Sequence, residues 1–147
     1  MRAIFALNKI YIKQKMIKTE YKYSELTAKI IGGAMTVHAK LGNGFQEVIY
    51  QRALAIELSL IGLEFAREFE MPISYRDIQI GTRRVDFFIE NKISLEIKAT
   101  TKLEDVHIAQ AKNYLEAYNL EIGLLINFGE TSLQFKRLLN KKYNPKL

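Results

Sequence analysis

The chain has 147 residues, 48% of them hydrophobic and 26% charged, which is the composition of one globular domain rather than a disordered segment. It has no cysteine, so disulfides and thiolate metal sites are excluded, and no apolar run is long enough to span a bilayer. Of the net charge of +6, five units fall in residues 1–22, where Arg2, Lys9, Lys13, Lys15, Lys18 and Lys22 oppose Glu20 alone. A basic extension over 1–23 attracts nucleic acid without sequence preference, and Met16 offers a second start within it. The opening MRAIFALNKIYIK has neither a signal-peptide core nor a small-residue cleavage site, so a cytoplasmic protein is expected.

Regular structure is expected from Ser24, read as an N-cap, with Leu26, Ile30, Ala34, Val37 and Leu41 at helical spacing. Gly32-Gly33 would admit a close neighbour. His38, at the polar edge of the stripe, reads as structural. Gly42-Asn43-Gly44 stops this helix, and a second is expected from about Gln46 to Leu60, with Val48, Ile49, Ala53, Ile56 and Leu60 as its apolar face. Glu47 falls in its first turn, where the helix dipole favours a carboxylate, and Tyr50 follows one turn on. Phe65 to Tyr75 reads as a strand, with Pro72 marking an edge or bend; Asp77 to Thr82 reads as a turn with a short strand at most.

Arg83 to Thr100, RRVDFFIENKISLEIKAT, reads as two strands around Glu90-Asn91-Lys92. Its alternation predicts a register with Ile89 opposite Ile93, Phe87 opposite Leu95 and Val85 opposite Ile97. The other face then pairs Phe88 with Ser94, Asp86 with Glu96, and Arg84 with Lys98. Only a loop of three or five residues keeps that register. Two of the polar pairs set like charges face to face, which is unfavourable; such local conflicts mark functional sites. A divalent cation between Asp86 and Glu96 would relieve one of them, with Lys98 on the same side, able to reach a substrate oxygen. The alternative is a solvated hairpin face.

A helical pattern returns from Leu103 to Asn119, with Val106, Ala109, Ala111, Leu115 and Tyr118 in or near its apolar side and His107, Gln110 and Tyr114 along one side. Glu121 to Phe128 is a near-continuous apolar run, as in a strand covered on both faces. Leu133 to Leu139 is a last strand or short helix, and 141–147 a polar tail. This order implies an α/β fold with a central mixed sheet flanked by helices. Phosphate-binding glycine loops, a serine elbow and a cysteine nucleophile are absent, and with only His38 and His107 so is an imidazole-rich metal site. Carboxylates, lysines and a glutamine remain for chemistry.

Asp86 followed by Glu96-Ile97-Lys98 resembles the PD-(D/E)xK nuclease superfamily. Gly44-Phe-Gln-Glu47-Val-Ile-Tyr50, the surrounding VHAKLGNGFQEVIYQRAL and the later HIAQAKNYL and GLLINFG look like its GxxExxY branch, over roughly 24–140. The resemblance implies a restriction-endonuclease-like αβββαβ core. It implies Mg²⁺ or Mn²⁺ held by Asp86 and Glu96 with Glu47, Lys98 as catalytic lysine, and Gln110, Tyr114 and Tyr50 placing the substrate. Phosphodiester hydrolysis follows, with DNA as the expected substrate, RNA and a homodimer left open, and no membrane partner. Val85 stands where the family's usual proline would be, and the stretch between Tyr75 and Arg83 is short for the branch. A non-catalytic nucleic-acid-binding or protein-interaction module on the same fold is the other reading. A purely structural partner subunit is a third, which an exposed apolar patch around Ile49 or on the edge strand would favour.

Overall fold

The computed structural model describes residues 22–147; most of the basic extension, and Met16 within it, lies outside the described residues. Two helices, α1 (Ser24–Leu41) and α2 (Glu47–Ile61), precede a three-stranded meander of β1 (Phe65–Tyr75), β2 (Ile78–Ile89) and β3 (Ile93–Lys98). Helix α3 (Asp105–Ala117) then crosses to β4 (Ile122–Asn127), and β5 (Gln134–Leu139) closes the sheet. The strand order is β1-β2-β3-β4-β5, antiparallel except for the parallel pair β3/β4 that α3 connects. The α/β class, the mixed sheet and the helices on it are as expected.

The main core lies between the sheet and the first two helices. Ile30, Ile31, Ala34 and Val37 of α1 and Tyr50, Leu54 and Leu58 of α2 cover Phe87, Ile89, Ile93, Leu95, Ile97, Leu124 and Ile126. Gly33 lets the two helices approach: a Cβ there would stand 3.3 Å from Ile61 Cδ1 and 3.6 Å from Leu54 Cδ1. A smaller cluster under α3 joins Ala111 and Leu115 to Leu125 and Leu138. Strand β4 is buried throughout, which explains its unbroken apolar run.

Several expectations are corrected. Ser24 is the first helical residue and is buried; the capping position is Tyr23, at φ 58 and with no side-chain cap. The buried face of α2 is Tyr50, Gln51, Leu54 and Leu58, while Val48, Ile49, Ile56 and Leu60 are exposed. In α3, Ala111, Tyr114 and Leu115 are buried, whereas Val106 and Ala109 are exposed. The turn at Asp77 is shorter than expected and the following strand longer. Arg76 and Asp77, both at positive φ, form a two-residue turn, and β2 begins at once at Ile78. Left-handed backbone at both central residues suits a tight hairpin turn.

The β2/β3 register is the one the alternation predicts, with Ile89 opposite Ile93, Phe88 opposite Ser94 and Phe87 opposite Leu95 around a three-residue loop. There the ladder ends. Val85 does not meet Ile97; it packs with Met71 and Tyr114. Nor does Arg84 oppose Lys98; its guanidinium turns to Glu68 at 3.7 Å and Glu70 at 3.4 Å on β1. The strands part at Asp86, whose Oδ2 accepts the Ile97 N–H at 2.7 Å in place of a ladder bond. On the other side of β2, Glu68 sits at φ 48 and drops out of the β1/β2 pairing opposite Asp86.

After Lys98 the chain is held by β4 and the loop beyond it. Phe128 N–H donates to Lys98 O, and the buried Asn127 amide bonds Thr100 N, Thr100 O and Gly129 N at 2.9–3.1 Å and Glu130 Oε2 at 2.8 Å. Gly129 lies against the Ala99–Thr100 backbone with no room for a Cβ. Gly129→Ala should therefore destabilise the fold by about 1–3 kcal/mol or more, the scale of overpacking against groups that cannot move aside. A urea titration checks this; an unchanged midpoint would show that the segment after Lys98 yields freely.

Candidate metal and nuclease site

Where β2 and β3 part, Asp86 and Glu96 remain neighbours on the divergent strands, close enough that each alters the ionisation of the other. Asp86 is fixed at both oxygens. Oδ2 accepts from Ile97 N–H, and Oδ1 accepts from Gln51 Nε2 at 3.3 Å. Both Asp86 oxygens already accept, and the larger rise in proton affinity falls on Glu96. Burial first, then the Asp86 charge, lifts the Glu96 carboxyl from its ordinary 4.5 to about 8, with Arg83 and Lys98 pulling the other way. Burial raises the Asp86 carboxyl as well, outweighing the lowering by the Ile97 N–H, Glu96, Lys98 and Gln51. Glu96 Oε1 is buried with no hydrogen-bond partner, and an unsatisfied buried oxygen of this kind is costly.

Lys98 follows Glu96 on β3, and its charge is felt by Asp86, Glu96 and Glu47. Glu47, at the exposed start of α2, is raised by partial burial; Lys98 lowers it, Asp86 raises it and His107 lowers it. Glu47 therefore faces the site without closing it: among the described residues, no three Asp, Glu, His or Cys side chains come together as a ready-made metal cage. The residues nonetheless fit a hard divalent cation, which the two adjoining carboxylates, the unpartnered Glu96 Oε1 among their oxygens, would receive.

The turn before Glu47 is anchored by Tyr50. Its hydroxyl donates to Gly42 O at 2.6 Å and accepts from Phe45 N at 3.1 Å, while its ring stacks on Phe128 at 4.7 Å. Tyr50 is fully buried, so it sets the loop that carries Glu47. Tyr114 is buried too, its hydroxyl bonded to Met71 Sδ at 3.0 Å. Gln110 is exposed, and its carbonyl accepts from Arg83 Nη1 at 3.2 Å. The Arg83 guanidinium lies 5.1 Å from the Tyr114 ring centre, so α3 seats a second cation whose charge reaches Glu96. His107 serves the helix start, its Nδ1 accepting from Glu104 N–H, and His38 Nε2 bonds Glu130 O at 2.9 Å, the structural role expected of it.

Gln51, Arg67, Arg83 and Asn127 were not singled out from the sequence. One signal was present for Gln51: it is four residues after Glu47 and interrupts the otherwise apolar face of Tyr50, Leu54 and Leu58.

Residues 24–138 match the family model of the PD-(D/E)XK nuclease superfamily. The chain belongs to that superfamily. A solved structure, the crystal structure of SSO0001, is similar at 18% identity with a TM-score of 0.50, over 81% of this chain and 60% of that one, which is a likeness of fold. No curated protein matches the chain. Among the described residues no helix is long and apolar enough to cross a membrane.

A carboxyl whose pKa is raised by folding holds its proton more tightly in the folded state. The contribution of Glu96 is then complete below 4.5 and is lost as pH rises towards about 8. Without divalent metal, the melting temperature should fall between pH 5 and about 8, and Glu96→Gln should flatten that fall. A wild-type curve that rises over this range would contradict the protonated Glu96.

Proposed function

We propose that this protein is a metal-dependent nuclease that hydrolyses phosphodiesters, with DNA as its substrate, and that within the superfamily it is a GxxExxY protein. The observation that carries the reading is the half-buried Asp86–Glu96 pair at the point where two strands part, with a lysine two residues on. Membership of a nuclease superfamily supports the chemistry. Gly44, Glu47 and Tyr50 support the branch, since Tyr50 anchors the turn from which Glu47 faces the pair.

Asp86 and Glu96 would hold the cation, with Glu47 as an outlying third carboxylate. When bound, Mg²⁺ or Mn²⁺ supplies Lewis acidity and a more acidic water. Asp86 keeps both oxygens in place through Ile97 N–H and Gln51, so little reorganisation accompanies binding. In that role Glu96 would give up its proton to solvent. Lys98 orients the attacking water or stabilises the charge that develops on the phosphate. Arg83, seated by the Gln110 backbone carbonyl and the Tyr114 ring, draws the phosphate towards the pair, so α3 places substrate through the arginine. The nuclease domain spans 24–140, and the basic stretch before it adds attraction for phosphates that is independent of sequence.

One observation favours a second reading, a subunit that works by binding a partner. Ile49, Ile56 and Leu60 are exposed on one side of α2, and Tyr75, Ile78 and Ile80 on the hairpin arm of β1 and β2. Exposed apolar residues so grouped mark interaction surfaces.

Lys98→Ala separates the two. With Mn²⁺, wild type should cut DNA, and Lys98→Ala should lose about 10²–10³-fold in rate, as when one preorganised charge is removed from a reacting centre. Its Mn²⁺ affinity should be kept or increased, because a nearby positive charge is gone. Asp86→Asn should abolish the metal-dependent rise in melting temperature. No cleavage of DNA or RNA by wild type, together with self-association or capture of a protein partner, would favour the second reading.

A further inference from the structure

The polar groups that reach Asp86 from behind form a chain of their own. Arg67 of β1 donates from Nη2 to Gln51 Oε1 at 2.8 Å, and Gln51 Nε2 donates to Asp86 Oδ1 at 3.3 Å. Gln51 is only 6% exposed, set among the apolar residues of α2, whereas Arg67 is exposed. The direction of the chain follows from chemistry. A guanidinium can only donate, so the amide oxygen must face Arg67 and the amide nitrogen must face Asp86. Without Arg67 the amide could turn over and set its oxygen against the carboxylate. Arg67 has a second tether, its guanidinium lying 6.0 Å from the Phe87 ring centre. The neighbouring Glu68 takes up the left-handed conformation opposite Asp86, so the β1 irregularity and the relay meet at the same level of the sheet.

We propose that Gln51, oriented by Arg67, is the positioning residue that fixes the Asp86 carboxylate for a divalent cation. This deepens the nuclease reading and rests on it. Groups that orient a metal ligand usually matter for affinity by about 10–100-fold. Arg67 acts only through Gln51, so the relay has a signature that a general structural role lacks: its two members do not act independently.

The test measures Mn²⁺ affinity by titration calorimetry for wild type, Arg67→Met, Arg67→Lys, Gln51→Leu and the double variant Arg67→Met/Gln51→Leu. Arg67→Met and Gln51→Leu should each weaken binding about 10–100-fold. Arg67→Lys should recover most of the loss, since an ammonium also donates to Oε1. The double variant should lose no more than Gln51→Leu alone. Metal-free melting of Arg67→Met should fall by no more than the loss of one hydrogen bond implies, so this variant remains decisive if Gln51→Leu folds poorly. Wild-type affinity in Arg67→Met, or losses that multiply in the double variant, would overturn the relay. A readout without metal is the Gln51 side-chain NH₂ in the NMR spectrum. It should exchange slowly in wild type and quickly in Arg67→Met; rapid exchange in both overturns the relay. Uptake of no Mn²⁺ by wild type would contradict the metal site itself, and the proposed positioning role with it, whatever the amide shows.

Discussion

Two carboxyl groups held against each other in a partly buried gap are the constraint around which this molecule is arranged. In water they would separate. Here β2 and β3 hold them together: the ladder that would have joined the strands stops at Phe87 and Leu95, and the next bond runs from Ile97 N–H to the Asp86 side chain. A backbone donor that would otherwise be orphaned is thus satisfied by the functional group itself. The cost falls on Glu96, which keeps a proton well above its usual range and leaves one oxygen without a partner.

The surrounding elements are tied to that gap through specific contacts. Tyr50 fixes the loop ahead of Glu47 and stacks on Phe128, whose N–H is bonded to the Lys98 carbonyl. The two ends of the site, Glu47 and Lys98, are therefore linked through one aromatic pair. Asn127, aligned with Lys98 in the β3/β4 register, holds the chain that leaves it. From the opposite face, α3 brings Tyr114 and the Gln110 carbonyl to Arg83. The burial of the two tyrosines is explained by this bracing.

Much of this was legible in the sequence because alternation has a period of two. A slip of one residue would have sent Phe87, Ile89, Ile93 and Leu95 to the wrong face, so the hairpin register could be read directly. The parallel strand was legible from its unbroken apolar run. Helix α2 misled because apolar residues occur almost all round it, and the stripe through Ile49, Ile56 and Leu60 is as regular as the buried one through Tyr50, Leu54 and Leu58. The first half of β2 was hidden because Gln79-Ile80-Gly81-Thr82 lies on an exposed arm with no core to impose a pattern, and Arg76-Asp77 is not a common hairpin turn. The parting of the strands at Asp86 could not be read at all, since it depends on a side chain replacing a backbone partner. For the same reason Gln51 was visible only as a polar break in an apolar face, and Arg67 not at all.

The central claim is that Glu96 holds a proton against Asp86 until a cation takes its place. Titration calorimetry with Mn²⁺ at pH 7, repeated in buffers of different ionisation enthalpy, counts the protons released on binding. The account predicts release approaching one proton at pH 7 and disappearing by about pH 9.5. Binding with no proton release at pH 7, or no Mn²⁺ binding by the wild-type protein at all, would contradict it.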